Sequence, residues 1–324
     1  MTKPMLLWRK KQFPINWQEE FKTNNDLHLE IGFGDGRYTA FRAKQEQDNS
    51  YVGLEISGSS LYRALKRMNS EQIKNVRLIK VRADFALKNL FRPNTLSSIV
   101  VNFPDPWPKD RHEKNRLLQD SFYNLAASRL KTGGEIRLAT DHKKYFEFAR
   151  AESKISNLFE LVEKEVPEAV FETKYALKWK KQGKPLYYQV FKYNGNKPPE
   201  YQALERFKDM PHSVLEGEMP ERFSFSKQVI KYGLGHIVLH EVAKSYDYND
   251  ETLERYLVRA SVDEPDLNQQ VLVVIRRKVG REYLVRLESF GDPIITKTAR
   301  GAVHAVTEWM LTLPSDLEIK ERNY

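Results

Sequence analysis

The chain has no cysteine in its 324 residues. That excludes a disulfide framework, thiol catalysis and cysteine-based zinc sites, and is what a reducing compartment permits. No apolar run approaches the length of a membrane span, so no transmembrane segment is expected. The brief patch Met5-Leu6-Leu7-Trp8 precedes Arg9-Lys10-Lys11 instead of following a basic stretch, which is not the pattern of a signal peptide. A cytoplasmic location is therefore expected. The last third shows no phosphate loop and no paired carboxylates. His236 and His240 have helical ligand spacing, but the intervening Ile-Val-Leu is strand-like and the Glu of the zincin pattern is missing. No metal is expected there.

What the chain has is positive charge in its first part. Overall, 53 Lys and Arg stand against 44 Asp and Glu. Residues 1–195 hold 35 of the cations and 23 of the acids, a net of +12, while residues 196–324 hold 18 and 21, a net of −3. A polyanion such as RNA would be met by the first part, although a lysine-rich solvated surface gives the same count.

The length predicts two domains. Residues 1–25 form a basic, aromatic segment whose Trp8, Phe13 and Trp17 can stack on bases or dock on the core. Residues 26–195 alternate strand and helix patterns. Strands are expected at 27–31, 51–55, 76–82, 99–102 and 135–140, with helices near 37–47, 58–69, 85–91, 115–130 and 143–152. Gly133-Gly134 is read as the stop of the fourth helix. Segments 175–180 and 186–192, around Gln182-Gly183-Lys184, read as a closing antiparallel hairpin. This order predicts an α/β, Rossmann-like, mainly parallel doubly wound sheet. Asn194 to Pro199 is turn chemistry and reads as a linker. Residues 196–324 then read as a smaller α+β domain of unknown role, with helical turns at 200–209, strands near 236–246, 255–262, 270–279 and 282–290, and a helix from 298 to 311.

Leu29-Glu30-Ile31-Gly32-Phe33-Gly34-Asp35-Gly36 runs from a strand through a glycine turn into a helix. Glycines let the backbone approach a ligand where a β-carbon would collide. Glu55 ends the next strand, where an acid can accept both hydroxyls of a ribose. Together they predict an adenosine cofactor. The Gly-x-Gly-x-Gly spacing differs from the Gly-x-Gly-x-x-Gly of dinucleotide enzymes, and with Glu30 ahead of the turn it resembles the S-adenosyl-L-methionine (SAM) methyltransferases of class I. A carboxylate suits a cationic cofactor. Asp84, after the third strand, can hydrogen-bond an adenine amino group or cap the helix that follows.

The fourth strand feeds Asn102-Phe-Pro-Asp105-Pro-Trp107-Pro-Lys109, a loop stiffened by three prolines that holds out an acid, an indole and an amine. With the glycine turn and Ala139-Thr140-Asp141, it closely resembles the bacterial tRNA (guanine-N7)-methyltransferases over about residues 27–193. The resemblance implies methyl transfer from SAM to N7 of the variable-loop guanosine at position 46 of tRNA. It also implies cofactor-binding roles for Glu30, Gly32, Gly34, Gly36, Glu55, Asp84 and Asp105, with Asp105 catalytic as well. Lys109, Asp141, Thr173 and Tyr175 fall at its substrate-binding positions, and Arg111, Lys114 and Arg116 in its RNA-contacting loop. Ala176 departs from the family's usual Glu in Thr-x-Tyr-Glu. Trp107 offers a stacking face for an extruded base or packs within the loop. Two other readings are an RNA exocyclic-amine methyltransferase on the same fold, and a non-catalytic RNA-binding protein with a vestigial cofactor site. Oligomeric state is not legible.

Overall fold

A computed structural model describes residues 4–173, 176, 185–246, 255–278 and 280–324. The chain divides into two compact units, Met1–Ala203 and Leu204–Tyr324.

The first unit is built on strands β1 (Leu27–Ile31), β2 (Ser50–Glu55), β3 (Val76–Lys80), β4 (Leu96–Asn102), β5 (Leu130–Thr140), β6 (Phe159–Val162) and β7 (Tyr187–Tyr193). Their order is β3-β2-β1-β4-β5-β7-β6, parallel except for β7, which runs antiparallel to both neighbours. Helices α1 (Trp17–Phe21), α2 (Arg37–Gln45), α3 (Gly58–Ser70), α4 (Ala83–Leu90), α5 (Asp120–Ala127), α6 (Lys143–Ser156) and α7 (Glu168–Phe171) punctuate the strands. Strands covered on both faces need continuous apolar runs, and Val76, Leu78, Ile79, Ile99 and Ile136 are all fully buried. Sequence neighbours β1 and β2 pair, but β1 also pairs with β4, so the winding reverses between β1 and β4. At such a switch point the connections leave in opposite directions and open a crevice at the carboxyl ends.

The amino-terminal segment belongs to this unit's core. Leu78 N donates to Pro4 O and Leu6 N to Leu78 O, so the chain adds to the outer edge of β3. Trp8 Nε1 donates to Lys80 O, and Trp17 Nε1 to Leu90 O with its ring stacked on Phe91. Both indoles dock rather than wait for bases. The buried Arg77 guanidinium holds α1 through the carboxylate and the carbonyl of Glu20.

Several expectations need correction. The helix expected at 115–130 is only Asp120–Ala127, preceded by a 3-10 turn at Asp110–Asn115, and Gly133-Gly134 lies inside β5. Strand β7 pairs with β5 and with β6, which the sequence reading missed. Of the hairpin arm expected at 175–180 only Ala176 is described. It is helical, because Thr173 Oγ1 accepts from its N–H and caps the turn.

The second unit is an antiparallel sheet of order β14-β8-β13-β12-β11-β10-β9. These strands are β8 (His212–Glu216), β9 (Gln228–Tyr232), β10 (Gly235–Ser245), β11 (Arg255–Asp263), β12 (Asn268–Arg277), β13 (Glu282–Leu287) and β14 (Glu318–Arg322). Alternation puts Ile237, Leu239, Val258, Val273, Ile275 and Val285 on one face, where they pack with Ala302, Val303, Val306 and Met310 of the helix Lys297–Leu311. Thr296 caps that helix by accepting from Ala299 N. Residues 200–209 form no helix, contrary to expectation. No helix among the described residues is long and apolar enough to cross a membrane.

Candidate active site

The glycine turn begins where β1 ends. Gly32, Gly34 and Gly36 have φ of +75°, +57° and +76°, values that disfavour any residue with a β-carbon. A β-carbon on Gly36 would lie 2.9 Å from that of Ala64, so this glycine lets α2 pack on α3. At Gly32 and Gly34, apart from the glycine and its chain neighbours, no atom of the described residues lies within 4 Å of the β-carbon position, so these two face open space. The turn is braced from outside. Asp35 pairs with Arg37 at 3.0 Å, and Arg67 Nε donates to Asp35 O. Glu55, at the end of β2, accepts from Gly34 N at 3.0 Å through one oxygen and from the N–H groups of Ile56 and Ser57 through the other. Its carboxylate fixes the turn and keeps lone pairs over for a ligand's hydroxyls.

Glu30 lies deeper than the sequence implied, at 6% exposure. Thr39 Oγ1, one turn into α2, donates to its Oε2, and Asn102 Nδ2, at the end of β4, donates to Oε1 at 3.2 Å. Burial pushes the carboxyl up to about 7 against these two bonds, which favour the charged form. His28, Tyr38, Arg42 and Tyr51 line the same small cavity, and burial holds His28 down at about 4, hence neutral. The buried Asn102 Oδ1 has no partner among the described residues. Thr39 and Asn102 escaped the sequence reading, although one sits three residues beyond Gly36 and the other heads the proline loop.

That loop leaves β4 through two left-handed corners. Phe103 has φ +50° and Trp107 has φ +42°, and each directly precedes a proline. Left-handed backbone costs an L-residue roughly 1–2 kcal/mol, and a following proline pushes it toward extended conformations. Such corners persist only where surrounding contacts over-determine them. Phe103 N donates to Ala139 O of β5 at 2.7 Å. Asp105, Trp107 and Lys109 are exposed. Trp107 meets His112 edge-on at 5.7 Å between ring centroids.

The remaining candidates divide. Asp141 follows β5, so it shares with Glu30, Glu55 and Asp105 the carboxyl end of the sheet. Asp84 is not the helix cap, a position held by Arg82; it lies in the first turn of α4, with both oxygens on the Arg82 guanidinium at 3.1 and 2.7 Å. Thr173 is buried, and its hydroxyl donates to Val170 O while capping Ala176. Tyr175 lies outside the described residues. Arg111 and Lys114 are exposed. Arg116 is not: at 5% exposure it points into the protein, which corrects its expected place on an RNA-facing surface.

A family profile described as putative methyltransferase matches residues 24–189. The tRNA (guanine-N(7)-)-methyltransferase of Thermus thermophilus is 39% identical, the alignment covering 93% of this chain and 94% of that protein. The chain belongs to the tRNA (guanine-N(7)-)-methyltransferase family. A second member, from Deinococcus radiodurans, is 39% identical over 87% of this chain and 88% of its own. A third, from Lysinibacillus sphaericus, is 36% identical but aligns with only 55% of this chain while 84% of it is covered. Family members thus match nearly the whole of this chain or only about half of it.

The cofactor of these methyltransferases is SAM, and the residues present fit it. Two left-handed glycines face open space, a carboxylate closes the second strand, and beside Glu30 a buried amide oxygen is unpartnered among the described residues. A sulfonium and an ammonium are cations, and Glu30 is an acid whose charged form already has two donors.

Proposed function

We propose that the protein methylates N7 of the variable-loop guanosine at position 46 of tRNA, using SAM, in the cytoplasm. The observation that carries this reading is the Thermus thermophilus relative, aligned along nearly the whole chain. Bound SAM supplies a methyl group activated by its sulfonium. The rest is placement. N7 of guanine has a lone pair and no proton, so the site needs no strong base. It needs to hold N7 in line with the methyl carbon at near-attack distance. Gly32, Gly34, Glu30 and Glu55 form the cofactor cradle, with Asp84 at the adenine end once it parts from Arg82. Asp105 and Asp141 accept from N1–H and the N2 amino group of guanine, which rejects adenine and offsets the positive charge that grows on the purine. Lys109, Arg111 and Lys114 meet phosphates.

Incubating the protein with labelled SAM and unmodified tRNA, followed by borohydride and aniline cleavage, is expected to cut the product at one variable-loop guanosine. A methyl group on an exocyclic nitrogen would overturn the assignment. Replacing Arg111 and Lys114 together by Ala should weaken tRNA binding and lower the slope of log Kd against log salt by about 1.5 for two lost phosphate contacts. An unchanged slope assigns these cations to ordinary surface.

A further inference from the structure

Arg116 stands in a run of cations, yet each of its three guanidinium nitrogens has a partner in its own chain. Nε donates to Pro106 O at 3.1 Å, Nη2 to Trp107 O at 3.4 Å, and Nη1 pairs with Glu113 at 3.1 Å. The guanidinium lies over the Phe148 ring of α6, 4.7 Å from its centroid. Gln119 Nε2 donates to Arg116 O and steadies the backbone from which the side chain reaches.

The two carbonyls are consecutive. One belongs to the peptide plane that precedes Trp107 and the other to the plane that follows it, so holding both fixes both dihedrals of Trp107. This is the residue whose left-handed φ of +42° is disfavoured by its own β-carbon and by Pro108. The loop's other left-handed corner, Phe103, is pinned by Ala139. Asp105 lies between two clamped corners.

We propose that Arg116 is a positioning residue for methyl transfer. By clamping the peptide planes on either side of Trp107 it sets the direction in which Asp105 projects. The proposal rests on the reading of Asp105 as the acid that holds the base. A lysine keeps the charge and much of the stem but cannot supply a planar fork to two adjacent carbonyls.

The test uses the full-length protein and Arg116→Lys. It compares single-turnover transfer to unmodified tRNA, SAM affinity by calorimetry, and tRNA affinity across a salt series. Transfer at saturation is expected to fall about 10- to 100-fold, the scale of a small misplacement, with the SAM and tRNA affinities and the salt slope unmoved. Arg116→Ala should lose transfer as well and recover part of it in millimolar guanidinium, which a general loss of folding would not. Weaker tRNA binding with a flatter salt slope and intact transfer would overturn the proposal in favour of an RNA contact. Wild-type transfer in Arg116→Lys would overturn it outright. Wild-type protein that methylates no tRNA would remove the functional reading and this proposal with it, whereas active wild-type protein confines any failure to Arg116.

Discussion

Asp105→Ala is expected to fold as the wild type does and to transfer methyl groups about 10²- to 10³-fold more slowly at saturating SAM and tRNA, the usual cost of removing one preorganised group that stabilises transition-state charge. The two halves of this expectation have separate grounds. Asp105 is exposed and flanked by Pro104 and Pro106, whose rings set the backbone whatever side chain lies between them. Its removal should therefore leave the melting temperature almost unchanged, since a surface substitution of this kind stays within about 0.5 kcal/mol. On the proposed reading the loss falls on transfer, because a carboxylate on the guanine's N1–H and N2 amino donors both orients the base and answers the charge it gains. Single-turnover rates and thermal melts on one preparation check both halves. Wild-type turnover in Asp105→Ala would take Asp105 out of the mechanism.

The second large effect concerns Glu30→Gln. A carboxyl raised from 4.5 to about 7 by burial gives the native state more bound protons than the unfolded chain between those values. Its contribution to stability is fully present below pH 4.5 and is lost as pH rises through 7. The unliganded Glu30→Gln protein should therefore melt higher than wild type at pH 8, and the excess should vanish toward pH 4.5. Thr39 can still donate to the amide oxygen. Cofactor binding should move the other way. A cationic ligand favours the charged form of Glu30, so near neutral pH its arrival expels a proton, and affinity rises with pH. Neutral glutamine removes that response and one side of a buried charge pair, which costs about 2–5 kcal/mol of affinity. Calorimetry in two buffers of different ionisation enthalpy reads the affinity and the proton together. Equal SAM affinity and equal proton release in Glu30→Gln would detach Glu30 from the cofactor.

Much of the first sheet was legible because its buried strands are dense in Leu, Ile and Val, even where a charged residue such as Glu30 or Arg77 interrupts them, and the turns between them carry glycine and proline. Val76 to Lys80 and Leu27 to Ile31 needed no tertiary information. Three of the strands that escaped, β6, β9 and β14 with Glu318-Ile-Lys-Glu-Arg322, lie at sheet edges, where charge is tolerated and periodicity is weak, while the short β8 lies one place in from an edge. Periodicity overdraws a helix over 115–130 because it cannot register where the backbone leaves the helical region, as it does at Arg116 with ψ 140° at the close of the 3-10 turn. The same limit applied to its role. A run of cations reads as surface, and only the fold shows that one of them turns inward. Glu30 was placed on the right strand, but its burial, and with it its protonation, depended on Thr39 and Asn102 arriving from elsewhere.

The alternation of proline at 104, 106 and 108 has one more effect. Each of these residues contributes a carbonyl and no N–H. The loop backbone is thus rich in acceptors and poor in donors. A guanine laid against it would meet few backbone donors able to bind N7. A lone pair already engaged in a hydrogen bond is a dulled nucleophile, so on the proposed reading the prolines would leave the target atom's electrons uncommitted until the methyl group is in line.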